Sequence, residues 1–201
     1  MSDFPIALHG ERVTAVVIGG GSVGTRKALA LIAAGAQVTV VAPTATAALE
    51  EAERLRQIKL VREAYRSAHL EKATLVIAAT SSREVNAQIA VDANARGKLV
   101  NITDYPDEGN FHTMALHRSG DVTIAVSSGG VPGAAARIRD AIAERFDGRY
   151  ERAVSALRGL RSRLIAGGEG KWNTAAPTLL GDDFCESVED GSFSEKVKEW
   201  R

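Results

Sequence analysis

Three glycines early in the chain have the spacing of a phosphate-binding turn. Gly19, Gly21 and Gly24 form a G-x-G-x-x-G pattern between the apolar run 15–18 and a helical pattern. In such turns the first glycine permits the tight turn, the second lets a pyrophosphate approach the backbone, and the third lets the helix pack closely on the sheet. The start of the helix offers free N–H groups to the phosphates. A strand-to-helix turn without a ligand is the alternative.

A carboxylate that follows the strand predicted at 99–103 is the first candidate for proton chemistry. Asp104 would lie at the edge of the sheet where α/β proteins hold their ligands, because the carboxyl ends of parallel strands meet there. A carboxylate in that position can accept a proton from a substrate. An aspartate that only orders the loop before Pro106 is the alternative.

The acidic residue that usually binds the ribose is missing. Dinucleotide-binding folds carry Asp or Glu about 20 residues after the glycines, but the segment 35–49 contains no acidic or basic residue. Ribose contacts would therefore come from backbone groups around Pro43 and from the hydroxyl of Thr44. Thr44 is equally consistent with a role as the cap of the next helix. The absence of an arginine for a 2′-phosphate favours NAD over NADP.

The elements that must position these residues alternate between strand and helix. Strands are predicted at 13–18, 37–41, 58–61, 75–79 and 99–103, and helices at 22–34, 44–57, 68–72 and from Ser82 to Gly97. The uninterrupted apolar run 75–79 is typical of a central strand that is buried on both faces. This alternation predicts an α/β fold, a Rossmann-like doubly wound parallel sheet.

The pattern changes after residue 104. Two short strands are predicted at 111–116 and 121–127 around a turn at 118–121, and a helix with proline in its first turn at 132–146. Further helices are predicted at 149–165, 182–188 and 193–200, and the region after 149 has no strand pattern. The apolar stripe of the helix at 149–165 needs a partner, which predicts a homodimer.

Composition excludes several classes of protein. The chain has 201 residues, 45% of them hydrophobic, and a formal net charge of zero, so no overall field favours nucleic acid or an anionic membrane. No apolar run approaches the ~20 residues of a membrane span, and the N-terminus lacks the features of a secretory signal. We therefore expect a cytoplasmic protein. The single cysteine, Cys185, excludes an internal disulfide and a cysteine-rich metal site.

Four segments occur in order along the chain: GGGSVGTRKA at 19–28, AATSS at 78–82, NITD at 101–104 and AVSSGG at 125–130. Together they resemble the precorrin-2 dehydrogenase family, which includes the N-terminal modules of siroheme synthases. The likeness covers roughly residues 4–146. The chain departs from the family pattern at Met114, where the family has proline, and at Pro132-Gly133, where it has a Ser-Pro pair.

The resemblance implies an enzyme that oxidises precorrin-2 to sirohydrochlorin with NAD as hydride acceptor, and some members of the family also insert ferrous iron. It identifies Asp104 with the essential aspartate of the family. It assigns the cofactor to seven residues: Gly19, Gly21, Ser22, Val23, Gly24, Pro43 and Thr44. Thr80 follows the fourth strand, at the edge where such sheets hold ligands. Ser128 matches a serine at the mouth of the active site, although the turn that contains it could simply start the next helix.

A tetrapyrrole substrate carries many carboxylates, so a chain of zero net charge needs local cations to bind it. The candidates are Arg26, Lys27, His112, His117, Arg118 and Arg137. We predict substrate contacts at Asn101, His112, Ser128 and Arg137. The alternative for each charged or histidine side chain is an ordinary solvated position. The spacing of the histidines predicts no metal site.

Taken together, these patterns predict an NAD-binding domain at 1–110, a central dimerisation and substrate segment at 111–147 and a helical C-terminal domain at 148–201. The expected partners are precorrin-2, ferrous iron as a second substrate and another copy of the chain. Two other functions remain open. One is a regulatory module that senses a dinucleotide without chemistry, and the other is a chelatase or tetrapyrrole-binding protein without dehydrogenase activity.

Overall fold

The computed structural model describes residues 3–168 and 170–200. They form two compact units that divide after Thr113. The first unit contains the glycine turn and Asp104, and the second contains Ser128 and the C-terminal helices. Among the described residues, no helix combines the length and the apolar character needed to cross a bilayer.

The first unit is built on a parallel sheet of five strands. The strands are β1 (Thr14–Ile18), β2 (Gln37–Val41), β3 (Ile58–Val61), β4 (Leu75–Ala78) and β5 (Leu99–Ile102). Their order in the sheet is β3-β2-β1-β4-β5, and every neighbouring pair is parallel. The chain reverses its direction of winding between β3 and β4, which is the doubly wound topology. The predicted α/β class is confirmed, and each predicted strand boundary lies within one residue of the observed one.

Helices cover both faces of this sheet. They are α1 (Ser22–Ala33), α2 (Ala47–Arg54) and α3 (Arg83–Asn94), with 3-10 turns at Gly10–Arg12, Ser67–Leu70 and Pro106–Glu108. The weak helix predicted at 68–72 is one of these short 3-10 turns.

The prediction that Thr44 caps α2 is wrong. The N-cap of α2 is Thr46, and its backbone is extended. The backbone N–H of Thr46 donates to the carbonyl of Gly20 at 3.1 Å. This bond holds residues 43–46 against the glycine turn, so the helix begins only after them.

The strands are buried on both faces, which explains their uninterrupted apolar runs. Along β1, Ala15 and Val17 pack in the layer with α1 and α2, whereas Val16 and Ile18 pack in the layer with α3. The neighbouring inner strand β4 contributes to both layers in the same way, and Ile77 is 1% exposed. The sheet therefore forms a rigid base for the loops at its carboxyl edge.

The second unit begins with an antiparallel hairpin of β6 (Ala115–Ser119) and β7 (Val122–Val126). Five helices follow: α4 (Pro132–Arg145), α5 (Gly148–Ala166), α6 (Lys171–Leu179), α7 (Phe184–Asp190) and α8 (Phe193–Lys198). The first hairpin strand was predicted from residue 111. It starts later because Phe111 packs against the core of the first unit and its carbonyl accepts a hydrogen bond from Asn101.

Helix α6 was not predicted, because Pro177 lies inside it and proline normally ends a helical pattern. It helps to bury the apolar stripe of α5. Leu157 and Leu160 pack in one cluster with Leu179 of α6 and Phe193 of α8. The stripe is thus covered within the chain, so it gives no argument for a second copy. The homodimer stays a prediction.

The inner position of β4, between β1 and β5, predicts a large effect of truncation there. Replacement of Ile77 by alanine should lower the free energy of unfolding by about 2–5 kcal/mol, since it removes buried methylene groups and leaves a cavity. Val91→Ala is the control, because Val91 is 63% exposed on α3 and should change stability by less than about 0.5 kcal/mol. Urea denaturation followed by circular dichroism measures both. Equal losses would contradict the assignment of β4 to the centre of the core.

Candidate functional site

The fold itself requires glycine at three positions between the end of β1 and the first turns of α1, which are Gly19, Gly20 and Gly24. Gly19 and Gly24 determine how closely α1 approaches the sheet. Gly19 has a φ of +118°, and a Cβ there would lie 2.2 Å from the carbonyl oxygen of Ala79. A Cβ at Gly24 would lie 2.0 Å from the carbonyl oxygen of Gly19. Both distances are far below van der Waals contact. These glycines let the first turn of α1 approach the ends of β1 and β4.

Gly21 is different, because nothing in the first unit requires glycine there. Its φ is −79°, which other residues adopt freely. A Cβ at this position would meet no described atom within 4 Å. The open space lies over the N-cap of α1, where the cap has no side chain and the first turn has no acidic residue. Unpaired helix N–H groups and room beside the backbone are what a pyrophosphate needs, so these residues fit a dinucleotide.

Ser22 and Val23 form the exposed first turn of α1. Pro43 and Thr44 are also exposed, in the loop that follows β2. A Cβ at Gly20 would lie 2.1 Å from the carbonyl oxygen of Thr44. The predicted phosphate and ribose residues are therefore side by side at one edge of the sheet, and their contacts with a cofactor stay predictions.

Two threonines that the sequence reasoning missed hold this loop to the glycine turn. The hydroxyl of Thr25 lies 2.9 Å from the carbonyl oxygen of Gly21 and 2.8 Å from the hydroxyl of Thr46. Thr25 is 8% exposed. A polar residue on the buried face of α1 was the signal for it, whereas nothing local pointed to Thr46.

Asp104 follows β5 at the same edge of the sheet, and its side chain is exposed. One of its carboxylate oxygens, Oδ1, accepts a hydrogen bond of 2.9 Å from Nδ2 of Asn86. Asn86 is fully buried on α3 and also bonds to the backbone of Thr80 at the end of β4. Asn86 thus joins Thr80 to Asp104. Thr80 and Asp104 are predicted site residues, whereas Asn86 is not among the predicted ones. Its signal was a polar side chain on the buried stripe Ile89, Ala90 and Ala93 of α3.

A side chain of α3 also contacts the loop after Asp104. Arg83, at the start of α3, forms an ion pair with Glu108, and its guanidinium lies 4.8 Å from the centre of the Tyr105 ring. The hydrogen bond to Glu108 raises the pKa of Arg83 above its usual value. Because this pair is exposed, it contributes little stability. It fixes the path of the loop.

Asn101 lies on β5, three residues before Asp104, and is 6% exposed. Its Nδ2 donates to the carbonyl of Phe111 at 3.2 Å, and its Oδ1 is a buried acceptor without a donor among the described residues. Thr113, two residues after Phe111, accepts a hydrogen bond from Lys27 of α1. Burial, and next the charge of Arg26, lower the pKa of Lys27. Asn101 thus holds the segment at 111–113, and its contact with substrate stays a prediction.

The other predicted substrate residues are exposed or form hydrogen bonds only within their own turn. In the first unit, exposed His112 lies 3.7 Å from the carboxylate of Asp3. In the second unit, the hydroxyl of Ser128 donates to the carbonyl of Val131, which precedes α4, and Arg137 is exposed on α4. The Ser128 bond is the one expected of a residue that shapes a turn, and the contact of Ser128 with substrate stays a prediction.

His117, another candidate for substrate contact, is half-buried on β6. Its Nε2 donates to the carbonyl of Phe146 at 2.6 Å, while Arg118 beside it is exposed. In the part of the chain that the structure describes, no three side chains of the His, Cys, Asp or Glu type form a group that could hold a metal ion. The free thiol of Cys185 is half-buried in α7.

Comparison with known proteins gives matches over up to 98% of the chain. Residues 6–115 match a family model described as putative NAD(P)-binding. A siroheme synthase of Photobacterium profundum is 33% identical over 198 residues, which are 98% of this chain and 41% of that protein. A siroheme synthase of Chromobacterium violaceum is 36% identical over 205 residues, which are 98% of this chain and 44% of that protein. The chain therefore spans less than half the length of these relatives.

A solved structure described as SirC, precorrin-2 dehydrogenase, superposes with a TM-score of 0.79 and 24% sequence identity. The match covers 98% of this chain and all of that one. This likeness is one of fold.

The contrast between Gly21 and Gly24 predicts opposite effects of two small substitutions. Gly21→Ser should keep the free energy of unfolding or raise it by up to about 1 kcal/mol, because serine is a favoured N-cap residue. The same variant should bind NAD⁺ at least about tenfold more weakly, a loss of about 1.4 kcal/mol, because its side chain fills the space for the pyrophosphate. Gly24→Ala should instead lose more than about 2 kcal/mol of stability through overlap with Gly19.

Urea denaturation and calorimetric titration with NAD⁺ measure the two quantities in each variant. If Gly21→Ser binds NAD⁺ as tightly as the wild type, the space beside Gly21 is not the pyrophosphate site.

Proposed function

This chain belongs to the family of putative NAD(P)-binding proteins, and we propose that it oxidises precorrin-2 to sirohydrochlorin with NAD⁺ as the hydride acceptor. One observation carries the proposal. A glycine turn with open space beside its middle glycine, Gly21, lies at the same edge of the sheet as the exposed carboxylate of Asp104. The siroheme synthase relatives and the fold shared with a precorrin-2 dehydrogenase support this choice of substrate.

The cofactor would lie across the carboxyl ends of β1 and β2. Bound NAD⁺ supplies a hydride acceptor. The N–H groups of Ser22, Val23 and Gly24 would hold its pyrophosphate, and the loop at Pro43 and Thr44 would hold its ribose. Since the segment 35–49 has no basic side chain for a 2′-phosphate, we propose NAD rather than NADP. Thr80 would border the nicotinamide end from β4.

Asp104 would accept the proton that the substrate loses. Each oxidation converts precorrin-2 and NAD⁺ into sirohydrochlorin, NADH and one proton, so a base near the substrate is needed as well as a hydride acceptor. Asp104 is exposed at the ligand edge of the sheet and accepts a hydrogen bond from a buried amide. A carboxylate in these surroundings suits general-base catalysis.

The remaining contacts would bind the carboxylates of the tetrapyrrole. We propose that Lys27, His112, Ser128 and Arg137 take part, with Asn101 holding the segment of His112 in place. We also keep the proposal of a homodimer, and of an NAD-binding domain at 1–110, a dimerisation and substrate segment at 111–147 and a helical domain at 148–201. Sedimentation at micromolar concentration tests the dimer.

Insertion of ferrous iron into sirohydrochlorin is a second proposed activity, with iron as a substrate. Metal insertion displaces two pyrrole protons, and an exposed carboxylate at the same site can accept them. Asp104 is the residue that supports it. The activity is separable from oxidation, because it consumes sirohydrochlorin and iron without any NAD⁺.

The direct test mixes the purified protein with precorrin-2 and NAD⁺ and follows NADH absorbance together with the tetrapyrrole spectrum. We expect one NADH for each sirohydrochlorin formed, and a slower reaction with NADP⁺. Binding of NAD⁺ without any NADH would instead indicate a dinucleotide-sensing module. Binding of the tetrapyrrole alone would indicate a chelatase or a carrier, and both outcomes would contradict dehydrogenation.

Asp104→Asn should lower kcat about 100-fold or more, because removal of a general base typically costs 10²–10⁴-fold. The dissociation constant for NAD⁺ should stay within about threefold, since the cofactor residues are unchanged and asparagine has nearly the same shape; that factor is below 0.7 kcal/mol. Asp107→Asn, an exposed position in the same loop, is the matched control and should keep wild-type turnover. Steady-state kinetics decide, and an unchanged kcat in Asp104→Asn would remove Asp104 from the chemistry.

A further inference from the structure

The side-chain amide of Asn86 has no unused hydrogen-bonding capacity. Its Oδ1 accepts from the backbone N–H of Thr80 at 3.2 Å and from the hydroxyl of Thr80 at 2.8 Å. Its Nδ2 donates to the carbonyl of Thr80 at 3.2 Å and to Oδ1 of Asp104 at 2.9 Å. An amide offers two donors and an acceptor oxygen. Asn86 is fully buried, and it donates one of its two side-chain N–H hydrogens to an exposed carboxylate.

The orientation of this amide is set by the backbone. The N–H of Thr80 can only donate and its carbonyl can only accept, so the oxygen of the amide must face the first and the nitrogen the second. Once those two bonds are made, the other hydrogen on Nδ2 points to Asp104. The end of β4 therefore fixes a donor against the carboxylate.

We propose that Asn86 is a positioning residue that holds Oδ1 of Asp104 as an acceptor and directs the substrate proton to Oδ2. The proposal rests on the proposed function, since it assigns the proton-accepting atom of that reaction. Nδ2 can only donate, so a proton on Oδ1 gains no acceptor there and makes Oδ1 a much weaker acceptor of the hydrogen bond from Asn86. Weakening a hydrogen bond of a buried amide costs stability, which favours protonation at Oδ2.

The balance of the step follows from this assignment. A C–H bond of precorrin-2 gives its hydride to NAD⁺, which becomes NADH, and the proton that the substrate also loses goes to Oδ2. Oδ2 then returns the proton to water. Oδ1 keeps its bond to Asn86 throughout, so the carboxylate does not rotate during the cycle.

The same amide ties the base to the cofactor turn. The residue before Thr80 is Ala79, and its carbonyl oxygen lies 2.2 Å from the position that a Cβ of Gly19 would take. The N–H of Ala79 donates to the carbonyl of Ile18 at 2.8 Å. The contacts that lead from the glycine turn through Ala79, Thr80 and Asn86 to Asp104 are continuous. Asn86 therefore sets the distance between the cofactor and the base.

The ion pair of Arg83 with Glu108 does not replace this function. Both side chains of this pair are partly exposed, and such pairs contribute little stability. It guides the backbone after Asp104, whereas the amide of Asn86 touches the carboxylate itself. Loss of Asn86 should therefore affect turnover more than it affects the loop.

The test uses the full chain with Asn86→Ala and Asn86→Asp. We expect kcat for NADH formation to fall about 10- to 100-fold in both, as for a misplaced catalytic group, with KM for precorrin-2 and Kd for NAD⁺ within about threefold. Asn94→Ala is the matched control. Asn94 is an exposed residue on the same helix that donates to the carbonyl of Glu108, so its loss loosens the same loop without touching Asp104, and kcat should stay within about twofold.

A second measurement needs no substrate. In ¹⁵N-labelled protein, the Nδ2 proton of Asn86 that is donated to the carboxylate of Asp104 should resonate downfield of the other Nδ2 proton, which is donated to the carbonyl of Thr80. The reason is that hydrogen bonds to charged acceptors are short and strong. Asp104→Leu should move that resonance upfield. If the resonance stays where it is, or if folded Asn86→Ala and Asn86→Asp keep wild-type kcat, the proposal is overturned.

The two measurements separate this proposal from the proposed function. If the wild type forms no NADH, the dehydrogenase function fails, while a shifted Asn86 resonance in Asp104→Leu still supports the positioning contact and an unshifted one overturns it. If Asn86→Ala does not fold, Asn86→Asp, which keeps the shape of the side chain, and the resonance of the wild type decide.

Discussion

The structure of the first unit depends on how closely the turn after β1 approaches the end of β4. Glycine at 19, 20 and 24 removes Cβ atoms that would overlap the backbone, so the first turn of α1 can lie directly over the sheet. That approach brings the N–H groups of α1, the loop after β2 and the end of β4 to one edge. Every candidate group of the first-unit site is attached to that edge.

Above this base, the site is held by buried polar contacts rather than by surface charges. Thr25 and Thr46 join the glycine turn to the loop after β2, and Asn86 joins Thr80 to Asp104. Such fully paired groups fix geometry more firmly than exposed ion pairs do. The consequence for function is that the cofactor loop and the carboxylate are positioned by one connected set of bonds.

Much of the fold is readable from the sequence because its strands are buried on both faces and end at glycines or polar residues. The candidate site is readable where a residue's neighbours are local, as with Gly21 and Asp104. Prediction fails where the deciding partner is distant. Thr46 caps α2 because of Gly20, and Asn86 serves residues at the ends of two strands. α6 was missed because tertiary packing overrides the effect of Pro177.

A crystal structure with NAD⁺ and the tetrapyrrole tests most directly whether the glycine turn and Asp104 form one site. The account predicts the pyrophosphate beside Gly21 on the N–H groups of α1, and Oδ2 of Asp104 within about 3.5 Å of a substrate atom that loses a proton, with Oδ1 still bound to Asn86. A cofactor away from the turn, or a tetrapyrrole out of reach of Asp104, would contradict it.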